Sequence, residues 1–133
     1  PAINYVIIHD GARPLLPEEV LERIINKLKS FDAITAGVKV KDTIKKKNDQ
    51  NFVLETPDRK NLIAVQTPQA FDYNLLCKAH KNNSQELTAT DDASLVEALG
   101  HEVKIIEGAY SNIKVTTPED LIYAEAMMRN NNK

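Results

Sequence analysis

The chain has 133 residues, enough for one domain with its own core, and its 42% hydrophobic and 27% charged residues are ordinary globular composition. A net charge of −2 gives no general electrostatic reason to bind nucleic acid or an anionic membrane. No apolar run approaches the roughly 18 residues a membrane span needs, and no signal peptide is visible.

In chain order, Ile3 to His9 reads as a nearly continuous apolar strand of the buried kind found in parallel sheets. It begins almost at once and without Met, as a fragment or processed chain would. After the His9-Asp10-Gly11-Ala12-Arg13 turn, Pro17 suits the first helical position, with Glu18 and Glu19 in the first turn. Val20, Leu21, Ile24, Ile25 and Leu28 mark one face of that helix. Ala33 to Val40 reads as a second core strand, giving a βαβ unit with an expected right-handed crossover. DTIKKKNDQNFVLETPDR follows, with short β-like pieces at Thr43 to Lys47 and Phe52 to Glu55 around a turn-rich Asn48 to Asn51. Its charge predicts a hairpin projecting from the sheet.

Asn61 to Gln66 returns to the core as a strand, broken by Pro68, and Asp72 caps a short helix through Ala79. That helix carries the single cysteine, Cys77, which reads as packing; with no partner for a disulfide, a reducing cytoplasm is the natural compartment. Asn82 to Ala89 reads as a polar loop. Thr90 then precedes a helix through Val96 to Leu99, stopped by Gly100. Val103 to Glu107 is the next strand and Asn112 to Val115 a short extended piece. Thr117-Pro118-Glu119-Asp120 starts a last helix carried by Leu121, Ala124, Glu125 and Met128. The pattern is α/β, one domain over residues 1–133, with at least four sheet strands and four helices and no internal repeat.

In α/β sheets ligands bind at the carboxyl ends of the strands. The polar residues there are Asp10 and Arg13, Asp42 and Thr43, Gln66 and Thr67, and Lys114 with Thr116, joined by Thr90 at a helix N-terminus. Acids suited to Mg²⁺, two cations and several hydroxyls suit a phosphorylated ligand. Scattered His9, His80 and His101 make no zinc spacing. Ser84, Ser94 and Ser111 lack a nucleophile elbow, and neither GxGxxG nor a Walker loop is present. Lys45 to Lys47 lacks interleaved aromatics and reads as a solvated face, so nucleic acid is not an expected partner. Each candidate also has a structural reading. Asp10 could make an Asx-turn, Thr90 and Thr117 are N-caps by position, Arg59 could pair with Asp58, and His9 fits a satisfied strand-end histidine.

The combination HDGARP, KDTIK, DR before AVQTPQAF, TDDAS and EGAYSNIKVTTPEDL closely resembles the methylerythritol-phosphate cytidylyltransferases of non-mevalonate isoprenoid synthesis, in order and spacing over essentially the whole chain. Ribitol-5-phosphate cytidylyltransferase shares much of the pattern; ALGHEVKIIEG and NIKVTTPEDL favour the isoprenoid family. A catalytically silent α/β binding or dimerisation module is the reading from another class, and it would not need these motifs together.

The resemblance implies a partial Rossmann-like mixed sheet flanked by helices, of the nucleotide-diphospho-sugar transferase type, with a projecting hairpin arm. It implies Mg²⁺-dependent transfer of CMP from CTP to methylerythritol phosphate in the cytoplasm, with release of pyrophosphate. Asp10 would bind the metal and the sugar-phosphate hydroxyls, Arg13 the substrate, and Lys114 would neutralise phosphate charge. Gly11 and Ala12 would let the nucleotide approach, and Thr67 and Thr90 would bond the substrate; the family often has Ala where Gly11 stands. Residues 42–60 would be an arm embracing a second subunit of a homodimer, placing Thr43 and Arg59 in the partner's site. The family's N-terminal Gly-rich, CTP-gripping loop has no counterpart here, so the isolated chain is expected to be inactive.

Overall fold

The computed structural model describes residues 2–82 and 89–132. Most of the expected Asn82–Ala89 loop, Ser84 included, lies outside the described residues. Among the described residues a four-stranded mixed sheet is built from β1 (Tyr5–Ile8), β2 (Ala33–Lys39), β5 (Ile63–Asp72) and β6 (Lys104–Glu107), in the order β1-β5-β2-β6. The strands β3 (Lys46–Lys47) and β4 (Val53–Glu55) form a separate two-stranded sheet. The helices are α1 (Glu18–Lys27), α2 (Tyr73–Lys81), α3 (Asp92–Ala98) and α4 (Pro118–Asn131).

The period-2 alternation of the strands divides the core into two layers. On one face Ile34, Ala36, Ala70 and Ile106 pack against Val20, Ile24 and Leu28 of α1. On the other, Ala33 and Phe71 pack against Leu76 and Ala79 of α2 and Ala93, Leu95 and Val96 of α3. Val20, Ile24 and Leu28 recur at helical spacing, as expected, whereas Ile25 is exposed. Pro17 sits one position earlier than predicted, at the N-cap in extended geometry.

Three expectations are corrected. First, β1 and β2 are not neighbours: β5 lies between them, antiparallel to both, so the βαβ unit is split. The parallel partner of β2 is β6. As an edge strand β1 buries only its Val6 and Ile8 face, while Tyr5 and Ile7 are exposed. Second, Pro68 does not end the strand. Thr35 pairs with Gln69 and Gly37 with Val65, so Gln66, Thr67 and Pro68 bulge opposite Ala36 alone. A residue without N–H costs no ladder bond there. Third, only Ala124 of α4 is buried, and Leu121, Ile122 and Met128 are exposed. Nothing among the described residues covers that face.

The hairpin forms as expected. Asn48 Oδ1 accepts from the backbone N–H of Gln50 and Phe52, and Asn51 takes a positive φ of 66°, which Asn tolerates. The lysine run is locally satisfied, with Lys45 bonded to Thr56, Lys46 to Glu55 and Lys47 to Asn51. Phe52 is 70% and Leu54 62% exposed, so the arm has no core of its own.

Candidate active site

Where β1 ends, the chain turns sharply, the N–H of Arg13 donating to the C=O of Asp10 at 3.0 Å. Asp10 Oδ2 accepts from Arg13 Nε at 3.3 Å and lies 3.7 Å from Lys114 Nζ. The Asp10 carboxylate thus faces two side-chain cations, one from its own turn and one from a distant part of the chain, and the Asx-turn reading is not the one realised. Arg13 is held from its other end by Nη1 donating to the C=O of Asn112 at 2.7 Å.

The β5 bulge presents Thr67 to this turn. Thr67 Oγ1 accepts from the N–H of Asp10 at 2.9 Å and lies 2.9 Å from His9 Nδ1. His9 Nε2 is 2.9 Å from the C=O of Arg13, which can only accept, so Nε2 carries the proton. In the neutral ring Nδ1 then accepts the Thr67 hydroxyl proton. His9 is the satisfied strand-end histidine that the sequence suggested, and it clamps the turn to β5.

Gln69, buried in β5, organises the opposite rim. Its Nε2 donates to Thr35 Oγ1 at 3.0 Å and to Asp91 Oδ2 at 2.9 Å, and its Oε1 accepts from the N–H of Ala93. Asp91 is the N-cap of α3, accepting from the N–H of Ser94 at 2.9 Å; the cap reading of Thr90 is therefore corrected by one residue. Burial alone would raise the Asp91 carboxyl. The Ser94 hydroxyl, the Gln69 amide and the Ser94 backbone N–H outweigh it and hold the group below its usual value.

Asp10, Arg13, Thr67, Thr90 and Lys114 line one pocket of about 370 Å³, with Asp91 and Asp92 on the same wall. Two other candidates lie elsewhere. Arg59 lines a separate cavity with Lys39, Lys41 and Lys60 and donates to the C=O of Lys41. Asp58 caps the turn Arg59–Asn61 through the N–H of Lys60, so the Asp58–Arg59 pair is not formed. Thr43 is exposed at the base of the arm. Thr116 belongs to a helix start: its N–H and hydroxyl, with the N–H of Thr117, donate to Asp120 Oδ2. Those backbone donors lower the Asp120 carboxyl. Thr117 is the predicted N-cap, in a capping box with Asp120. Gly11 has an open surround, a Cβ there meeting nothing within 4 Å, so an alanine fits equally well.

The family model of IspD, 2-C-methyl-D-erythritol 4-phosphate cytidylyltransferase, matches residues 1–130. The chain belongs to this family. A cytidylyltransferase of that name from Alkaliphilus oremlandii is 53% identical over 127 residues, 95% of this chain and 54% of the relative. One from Desulforamulus reducens is 49% identical over 128 residues, 96% of this chain and 55% of the relative. The crystal structure of 4-diphosphocytidyl-2C-methyl-D-erythritol synthase from Anaerococcus prevotii superimposes with a TM-score of 0.87 at 40% identity, covering 95% of this chain and 57% of that one. The cytidylyltransferase from Thermus thermophilus gives 0.85 at 34% identity, covering 96% and 63%. The chain spans about half the length of the curated relatives it matches.

The IspD-family fold confirms the expected mixed sheet flanked by helices. Sequence reasoning missed Gln69 and Asp91, which line the pocket and brace its rim, and Asn112, which lies behind it. The spacing of Asp91 three residues before Ser94 was a usable cap signal. Asn112 gave none, since a buried amide in a loop looks like any loop residue in a sequence, whereas Gln66 was already among the strand-end candidates.

Proposed function

We propose that this chain is the C-terminal, sugar-phosphate-binding part of an enzyme that transfers CMP from CTP to 2-C-methyl-D-erythritol 4-phosphate. An oxygen of the sugar phosphate bonds to the α-phosphorus of CTP, the α–β phosphoanhydride bond breaks, and pyrophosphate leaves. The nucleophile is already ionised at neutral pH, so no strong general base is needed. The work is positioning two anions and offsetting charge on the leaving group. The observation that carries the reading is the convergence of Asp10, Arg13, Thr67, Thr90 and Lys114, from four separate segments, on one pocket.

In this reading Lys114 and Arg13 neutralise phosphate charge, Thr67 and Thr90 hydrogen-bond the sugar phosphate, and Gly11 and Ala12 leave room for the nucleotide. Among the described residues no three His, Cys, Asp or Glu side chains gather as a metal site. Mg²⁺ is commonly held by one or two carboxylates together with substrate phosphates. Asp10 would supply the carboxylate, and the metal would add positive charge beside the phosphates when bound. A methylerythritol substrate is preferred to ribitol 5-phosphate because the matching family and relatives carry the methylerythritol name.

The arm over residues 42–60 is read as a dimerisation element. Its exposed Phe52, Val53 and Leu54 want cover, and Thr43 and Arg59 lie outside the pocket of their own subunit. A two-fold partner would receive them. The cytoplasm is the proposed compartment; no helix among the described residues is long and apolar enough to cross a membrane. The deciding experiment measures pyrophosphate release from CTP with methylerythritol phosphate or ribitol 5-phosphate, using the complete enzyme in which the relatives' N-terminal part precedes this chain. Release with methylerythritol phosphate supports the reading; release only with ribitol phosphate, or with neither, refutes it.

A further inference from the structure

Asn112 is fully buried and does not line the pocket, yet it ties three pocket-bearing segments together. Its Nδ2 donates to the C=O of Thr67 at 2.8 Å and lies 3.5 Å from Gln66 Oε1. Both neighbours are acceptors, which fixes the amide's orientation, since the flipped form would set oxygen against oxygen. Gln66 closes the other side, its Nε2 donating to the C=O of Ala109 at 2.9 Å and its Oε1 accepting from the N–H of Ala109 at 3.3 Å. Gln66 Oε1 is packed directly against Gly108, where an added Cβ would come within 2.4 Å of it.

The same stretch is pinned to the Asp10–Arg13 turn. The C=O of Asn112 takes Arg13 Nη1 at 2.7 Å, and the N–H of Val115 donates to the C=O of Ala12 at 2.8 Å. Lys114 rides between these two attachments. Asn112 Oδ1 has no hydrogen-bond donor. An apolar side chain would strand no acceptor there, but it would leave the Thr67 carbonyl without its donor.

We propose that Asn112 is a positioning residue, whose Nδ2 bond to Thr67 sets the register of the Ala109–Val115 loop against the β5 bulge. It thereby fixes the spacing of Lys114, Arg13 and Thr67. The proposal rests on the cytidylyltransferase reading for its catalytic consequence.

The test uses two variants of the complete enzyme. Asn112→Leu keeps the branched outline, with slightly more bulk, and removes the donor. Asn112→Asp keeps the shape, and its carboxyl can donate to Thr67 only when protonated. Amide exchange over residues 109–115 needs no activity and is expected to speed up in Asn112→Leu. The same variant should lose about ten- to a hundred-fold in kcat, the scale of a small misplacement of catalytic charge, with less change in KM for CTP. In Asn112→Asp the ratio of kcat/KM to wild type should rise as pH falls, whereas in Asn112→Leu it stays flat. A residue that only fills space moves neither the pH dependence of that ratio nor the split between kcat and KM. Should the leucine variant fail to fold, exchange and the pH-dependent ratio in the aspartate variant decide. Wild-type exchange in folded variants overturns the proposal, as does a flat ratio for Asn112→Asp. Faster exchange in a variant whose parent shows no turnover sinks the enzymatic reading instead and leaves the link between Asn112 and the loop standing.

Discussion

Lys114→Ala separates a catalytic charge from a structural one. Lys114 Nζ lies 3.7 Å from Asp10 Oδ2, with the two side chains 51% and 36% exposed. At that distance and exposure the pair sits near the high-dielectric limit, about 1 kcal/mol before salt and side-chain entropy reduce it. Asp10 also keeps Arg13 Nε at 3.3 Å after the substitution, so no carboxylate is left unpaired. Stability should therefore fall by no more than about 1 kcal/mol. The effect on turnover should be larger. Losing one preorganised charge contact to a reacting phosphate costs about 2–4 kcal/mol of transition-state stabilisation, a fall of roughly 30- to 900-fold in kcat/KM. Pyrophosphate release by the complete enzyme measures the second quantity and thermal unfolding the first. Turnover within a factor of about two of wild type would remove Lys114 from the mechanism. A loss of turnover that merely follows the unfolded fraction would make the contact with Asp10 structural.

Other outcomes follow from the same geometry. The isolated chain, which spans about half the length of its curated relatives, should release no pyrophosphate from CTP plus methylerythritol phosphate; robust turnover by the pure chain refutes this. Asp10→Asn in the complete enzyme should depress turnover far more than melting temperature, since Asp10 sits at a strand end and not in the core; a large fall in melting temperature with normal specific activity would reverse the assignment. Asp91→Asn should destabilise by about 1 kcal/mol at neutral pH, the scale of one lost hydrogen bond, because the cap bond from Ser94 is kept while the new amide NH₂ meets the Gln69 donor. Since the folded Asp91 carboxyl lies below its ordinary value, its contribution is complete above about pH 4 and is lost as pH falls through the folded value. The melting-temperature gap between wild type and variant should therefore close in acid, and a gap that widens there contradicts the sign. Mixing complete Asp10→Asn with complete Arg59→Ala enzyme, followed by verified subunit exchange, should restore roughly a quarter of the sites if the arm serves a two-fold partner; no recovery at all would place Arg59 in its own subunit's site.

What the sequence made legible follows from the range of the interactions involved. The Thr117–Asp120 helix start spans a few residues and reads directly, as do the Asn48–Asn51 turn and the Asp72 cap. The charged side chains of the pocket were also legible, because Asp10, Arg13 and Lys114 fall where strands give way to turns and loops. Strand order was not. The apolar pattern of β1 and β2 is the same whether they pair directly or receive β5 between them, and only long-range pairing decides. Pro68 misled because its missing N–H signals the end of a ladder, whereas the three-against-one bulge that contains it makes that N–H unnecessary. That bulge is also what aims Thr67 at Asp10. The strongest local breaker in β5 therefore marks the place where the strand leaves regular pairing to build the site, and a sequence reading gains more by asking what an irregularity presents than by ending the element there.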